Sequence, residues 1–64
     1  MKGTVKRIQQ DKGFGFIRTA SGEEFFFHKS ALQNIKIEEL QEGQEVEFEE
    51  SEGPKGPRAE DVYA

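Results

Sequence analysis

Cysteine and tryptophan are both absent from this 64-residue chain. Without cysteine there is no disulfide, no thiolate nucleophile and no sulfur ligand for a metal. Without tryptophan, intrinsic indole fluorescence is not available to report on binding. Apolar residues make up only 33% of the chain. No run of them approaches the roughly 18 residues that a membrane span requires. The stretch "MKGTVKRIQQ" lacks the apolar segment of a secretory signal. A soluble, cytoplasmic, monomeric protein without a membrane partner is expected. Histidine occurs once, and no Ser-His-Asp pattern or phosphate loop accompanies it. The "GFGF" at 13–16 lacks the third glycine and the following helix of a dinucleotide fingerprint. The expectation is a protein that is not an enzyme and needs no cofactor. Glu45, Glu47, Glu49, Glu50 and Glu52 lack the loop spacing of a calcium site, so no metal is expected either.

The chain is short enough for one domain over residues 1–64. A domain of this size buries only about 60% of the surface its unfolded chain exposes, so its stability margin is small. The mean hydropathy of −0.84 raises the question of disorder. Strand-like apolar patterns separated by turn residues argue against it. The net charge of −4 at first speaks against an anionic partner, but the charges are segregated. Residues 1–32 carry six basic side chains against three acidic ones, and residues 33–64 carry three against ten. Such segregation suggests one face for an anion and another for solubility.

Residues 3–10 are β-branched and partly alternating, a strand. Asp11-Lys12-Gly13 is a turn signal, and 14–18 resumes as a strand. A second turn at 20–22 leads to a strand over 24–28, so three strands follow one another as a meander. Residues 29–32 read as a helical turn capped by Ser30. Residues 34–43 read as a loop with a short helical piece. Residues 44–50 alternate, with Val46 and Phe48 inward and Glu45, Glu47 and Glu49 outward. The glycines and prolines of 51–57 predict a loop, and 59–64 a last short strand. Five short strands with almost no helix imply a small antiparallel barrel, because closure removes exposed sheet edges.

Five of the six phenylalanines sit in "DKGFGFIR" (11–18) and "EFFFHK" (24–29). Alternation sorts them. A core needs Ile17, which places Phe14 and Phe16 on the outer face of their strand. In the next strand His28 belongs outside, and Phe26 shares its parity. Phe25 and Phe27 join Val5, Ile17, Leu32, Val46, Phe48 and Val62 as core. An exposed cluster of Phe14, Phe16, Phe26 and His28 results, with Lys6, Lys12 and Lys29 close by in sequence. Exposed aromatic patches on small proteins mark binding sites. Bases of single-stranded nucleic acid stack on such rings at about 1–3 kcal/mol each, while lysines meet phosphates. Gly13 and Gly15, lacking side chains, are expected to let a nucleotide approach the strand.

These residues resemble a known family. "KGFGFI" (12–17) and "FFFH" (25–28) look like the two ribonucleoprotein motifs of bacterial cold-shock proteins and the related cold-shock domain. "LQEGQEVEFE" (40–49) and "GPKGPRAEDV" (53–62) are similar to that family's fourth strand and final loop and strand. The resemblance covers essentially the whole chain. It implies an OB-type five-stranded barrel that binds single-stranded RNA and DNA with little sequence preference, in the manner of an RNA chaperone. By position, Lys6, Lys12, Phe14, Phe16, Phe26 and His28 match the family's contact residues, and Lys55 falls where the family carries a basic loop residue. Arg7 and Ile8 stand where the family has an aromatic pair, Lys29 replaces a phenylalanine, and Ile37 replaces a loop aromatic. Arg7 and Lys29 are expected to compensate, since guanidinium planes also stack on bases and both add charge. The competing expectation is a barrel that binds another protein, favoured by the missing aromatics and the net negative charge.

Overall fold

The computed structural model describes residues 1–54 and 56–64. The chain forms β1 (Lys2–Gln9), β2 (Phe14–Arg18), β3 (Glu24–His28), β4 (Glu45–Gly53) and β5 (Gly56–Tyr63), with two single 3₁₀ turns at Lys29–Ala31 and Ile37–Glu39. The strands close into a barrel in the order β1-β2-β3-β5-β4. Neighbours run antiparallel except β3 and β5, whose parallel seam pairs Phe26 with Arg58. Among the described residues no helix is long and apolar enough to cross a membrane.

Alternation builds the interior. Val5, Ile17, Phe25, Phe27, Val46, Phe48 and Val62 are all buried, as their parity requires. Leu32 is only half-buried; it packs against the cluster and bridges to Val62. Ala31, Ile37, Leu40 and Ala59 complete the core. These come from segments where the sequence shows no sustained period. In β2 the residues facing inward are Gly15 and Ile17. A Cβ at Gly15 would lie 2.5 Å from the Arg7 carbonyl oxygen and 2.6 Å from Phe27 Cζ. Gly15 therefore serves core packing, and the expectation that it opens the outer face to a nucleotide is corrected.

Two further expectations change. The 3₁₀ turn at Lys29–Ala31 is capped by His28 and not by Ser30: His28 Nδ1 accepts the Ser30 backbone N–H at 3.2 Å. The expected loop over 51–57 is mostly strand. Gly53 pairs with Gly56, and Gly56 at φ +111° takes a backbone conformation closed to L side chains. The hairpin thereby turns in a minimal space. Lys55, expected as a basic loop contact, lies outside the described residues.

Candidate nucleic-acid interface

A β-bulge sets the outer face. Val5 pairs with Ile17 and Arg7 with Phe16, so Lys6 is the extra residue between them. Strict alternation would place Arg7 on the same side as buried Val5. The bulge resets the phase, and Lys6 and Arg7 are both exposed. Register then aligns two rows across the barrel. One runs Arg7, Phe16, Phe26, Arg58 over β1, β2, β3 and β5; the other runs Gln9, Phe14, His28 over β1, β2 and β3.

Phe14, Phe16 and Phe26 form one cluster. The Phe14 and Phe26 centroids are 5.5 Å apart at an interplanar angle of 37°. Phe16 meets Phe14 at 6.2 Å and Phe26 at 5.9 Å, edge to face in both cases. Each ring leans on the next, so the three are half-buried and not fully exposed as expected. Such contacts add about 0.5–1.5 kcal/mol per pair beyond area burial, which holds the rings in place before any ligand arrives. His28 is half-buried beside Phe14, its Cα partner. Its Nδ1 accepts from the Ser30 backbone and lies 2.9 Å from Ser30 Oγ.

Cations lie on the strands and turns next to this cluster. Lys12 is exposed in the turn between β1 and β2. Lys29 is exposed, and its stem lies over Gly13, where a Cβ would stand 3.0 Å from Lys29 Cδ. Gly13 at φ +76° shapes the turn, and its carbonyl accepts from Lys29 N at 2.8 Å. Lys6 Nζ is 2.6 Å from Glu24 Oε2. The hydrogen bond and charge of Lys6, with a contribution from Arg18, hold the Glu24 carboxyl below the usual carboxylate range. Arg7 forms no ion pair among the described residues; with Lys6, Phe16 and Glu24 it lines a shallow hollow. Of the remaining departures from the family pattern, Ile8 packs against the core cluster and Ile37 is only 4% exposed. Ile37 is a plug under its loop, with no open platform.

Sequence reasoning missed Arg58. Counting back in twos from buried Val62 turns Arg58 inward; the irregularity between Glu60 and Tyr63, where Asp61 has φ 49°, resets the phase and buries Ala59 instead, and nothing in the sequence says which strand β5 joins. The opposite wall, β4 and the adjoining part of β5, carries Glu45, Glu47, Glu49, Glu50 and Glu60 outward. Glu49 there stands directly across from Glu60. Among the described residues no group of three His, Cys, Asp or Glu side chains is placed to hold a metal ion.

A sequence model of the 'Cold-shock' DNA-binding domain matches residues 1–64. The chain belongs to the cold-shock DNA-binding domain family. Cold-shock relatives match over nearly their whole length. The cold shock-like protein CspLB of Listeria monocytogenes is 50% identical over 60 residues, covering 94% of this chain and 91% of that protein. The major cold shock protein of Streptococcus pyogenes is 46% identical over 61 residues, covering 95% and 91%. The cold shock-like protein CspC of Bacillus cereus is 45% identical over 62 residues, covering 97% and 95%. Membership makes this chain a nucleic-acid-binding domain and not an enzyme.

Proposed function

We propose that this cold-shock domain binds single-stranded RNA or DNA as a monomer, by stacking bases on Phe14, Phe16, Phe26 and His28. Lys6, Lys12 and Lys29 neutralise phosphates around the rings, and Lys55 adds a further cation. Arg7 offers its guanidinium as a base platform beside Phe16. The observation that carries this reading is the cluster of three rings on the outer face of β2 and β3, with centroids 5.5–6.2 Å apart. Bases present π-faces whatever their identity, so stacking tolerates sequence. Such binding suits an RNA chaperone that keeps strands open without choosing them. A duplex hides its base faces and gains only the charge attraction.

Fluorescence anisotropy of labelled single-stranded and duplex oligonucleotides across a salt series tests this. Contact with about 3–5 phosphates gives a slope of log K against log[salt] near −2 to −3.5. Equal affinity for duplex, or a flat salt response, rules the mechanism out. No binding even at low salt transfers the function to a protein partner.

A further inference from the structure

The row Arg7, Phe16, Phe26, Arg58 does not end at its last ring. Phe26 and Arg58 are Cα partners on the parallel β3–β5 seam. Together with Gly53, Pro54, Gly56 and Pro57 they line a cleft of about 260 Å³. Among the described residues its walls are one aromatic ring, two prolines, two glycines and one arginine, with no acidic side chain.

The Arg58 side chain is held there but not consumed. Its stem lies along Gly53, where a Cβ would stand 3.2 Å from Arg58 Cδ. Glu60 Oε1 is 3.6 Å from Nε, beyond hydrogen-bond range, and Arg58 is half-buried. Arg58 Nε is turned inward and has no hydrogen-bond partner among the described residues. Arg58 lines the open cleft, and guanidinium planes stack on bases as aromatic rings do.

We propose that this cleft is a nucleobase seat, in which the Arg58 guanidinium acts as a flat cationic platform beside the Phe26 ring. The seat rests on the single-strand reading above and extends its stacking row past β3 onto β5. Its occupant is a base of the same strand whose neighbours lie on Phe26 and Phe16. The apolar walls favour the base over the phosphate, and the cation favours the electron-rich face of the base.

Arg58→Lys decides between platform and phosphate contact, because it keeps the charge and removes the plane. The probe is a labelled oligothymidylate about seven nucleotides long, within the site size of one OB barrel. The expected result is an affinity loss of about fivefold for Arg58→Lys at every salt concentration. The salt slope and the melting temperature should stay as in the parent. Gly53→Ala keeps every charge but lifts the Arg58 stem, and a smaller loss is expected for it. Parental affinity for both variants overturns the seat while leaving the single-strand reading intact. So does an Arg58→Gln variant whose slope falls by about 0.7, the signature of one lost phosphate contact. A melting temperature of Arg58→Lys that drops along with its affinity marks a structural arginine and also overturns it. If the parent itself does not bind, the seat falls together with the reading beneath it.

Discussion

The β2–β3 wall and the β4–β5 wall of this barrel obey the same alternation and reach opposite ends. Both put hydrophobic residues inward, Ile17, Phe25 and Phe27 on one side and Val46, Phe48, Ala59 and Val62 on the other. Outward, the first wall shows rings with lysines around them, and the second shows carboxylates, two of which face each other at Glu49 and Glu60. The net charge of −4 averages over this contrast and hides it. A polyanion that meets the domain is repelled from one wall and admitted to the other. Orientation is thus decided at long range, before any ring is touched.

The sharpest way to break the comparison is to exchange the roles of neighbouring phenylalanines. Phe27→Ala empties a fully buried site, at a cost of about 3–5 kcal/mol. A 64-residue domain has a total stability of only about 3–10 kcal/mol, so this variant should melt far below the parent or not fold. Phe16→Ala should lose about 1–3 kcal/mol of single-strand affinity instead, with a modest change in melting. Thermal melts beside oligonucleotide titrations separate the two. A Phe16→Ala that unfolds, beside a Phe27→Ala that only binds weakly, would invert the assignment of inside and outside.

Gly15→Ala ranks next. The added methyl meets backbone and the Phe27 ring at once, so stability should fall by about 1–3 kcal/mol. Affinity per folded molecule should hold. Unchanged melting with weakened binding would return Gly15 to the outer face.

Arg7 sharpens the contrast within the basic wall. Arg7→Ala should bind more weakly at every salt concentration. Arg7→Trp should bind more tightly than the parent at high salt, where stacking outlasts phosphate attraction, and the gain should shrink at low salt. Anisotropy across the salt series reads both. Parental binding by both variants would remove Arg7 from the site.

The smallest effect concerns Glu24, the acid that sits on the basic wall. Its folded-state carboxyl is held below the ordinary value of 4.5 by Lys6. Such a group contributes stability above its unfolded pKa and loses it as pH falls through the lower, folded one. Glu24→Gln should therefore lower the melting temperature slightly at neutral pH and flatten the acid limb, its profile meeting the parent's at low pH where Glu24 is protonated. A limb that keeps its parental slope would show that the pair does not persist in solution.

Much of this was legible in the sequence, for a physical reason. Period-two alternation is a local signal, and wherever a strand was regular it placed residues correctly, from Val5 through Phe25 and Phe27 to Val62. It failed where geometry depends on something non-local. The bulge at Lys6 adds one residue against β2, and no local pattern announces it, although it is what turns Arg7 outward. Ile37 and Leu40 are buried from a segment with no period. Glycine and proline at 53–57 signalled a turn without showing that it is nearly as short as a hairpin can be. The neighbour of β5 follows from closure alone, so Arg58 had no visible partner until the barrel was closed. The ring face of β2 and β3 was the most legible part of the candidate site, because there the strand parity and the His28 constraint agree.

The parallel β3–β5 seam has a kinetic consequence. β1, β2 and β3 meet through short turns and form pairings cheaply, whereas Phe26 and Arg58 are joined only after a long stretch of chain has been brought back. Loop-closure entropy must be met before that contact returns anything. On this entropic ground the seam forms after the β1-β2-β3 meander. The rings of β2 and β3 assemble early, but the surface that continues from them onto β5 exists only in the closed barrel. A ligand that spans both would act as a latch, slowing unfolding without hastening folding.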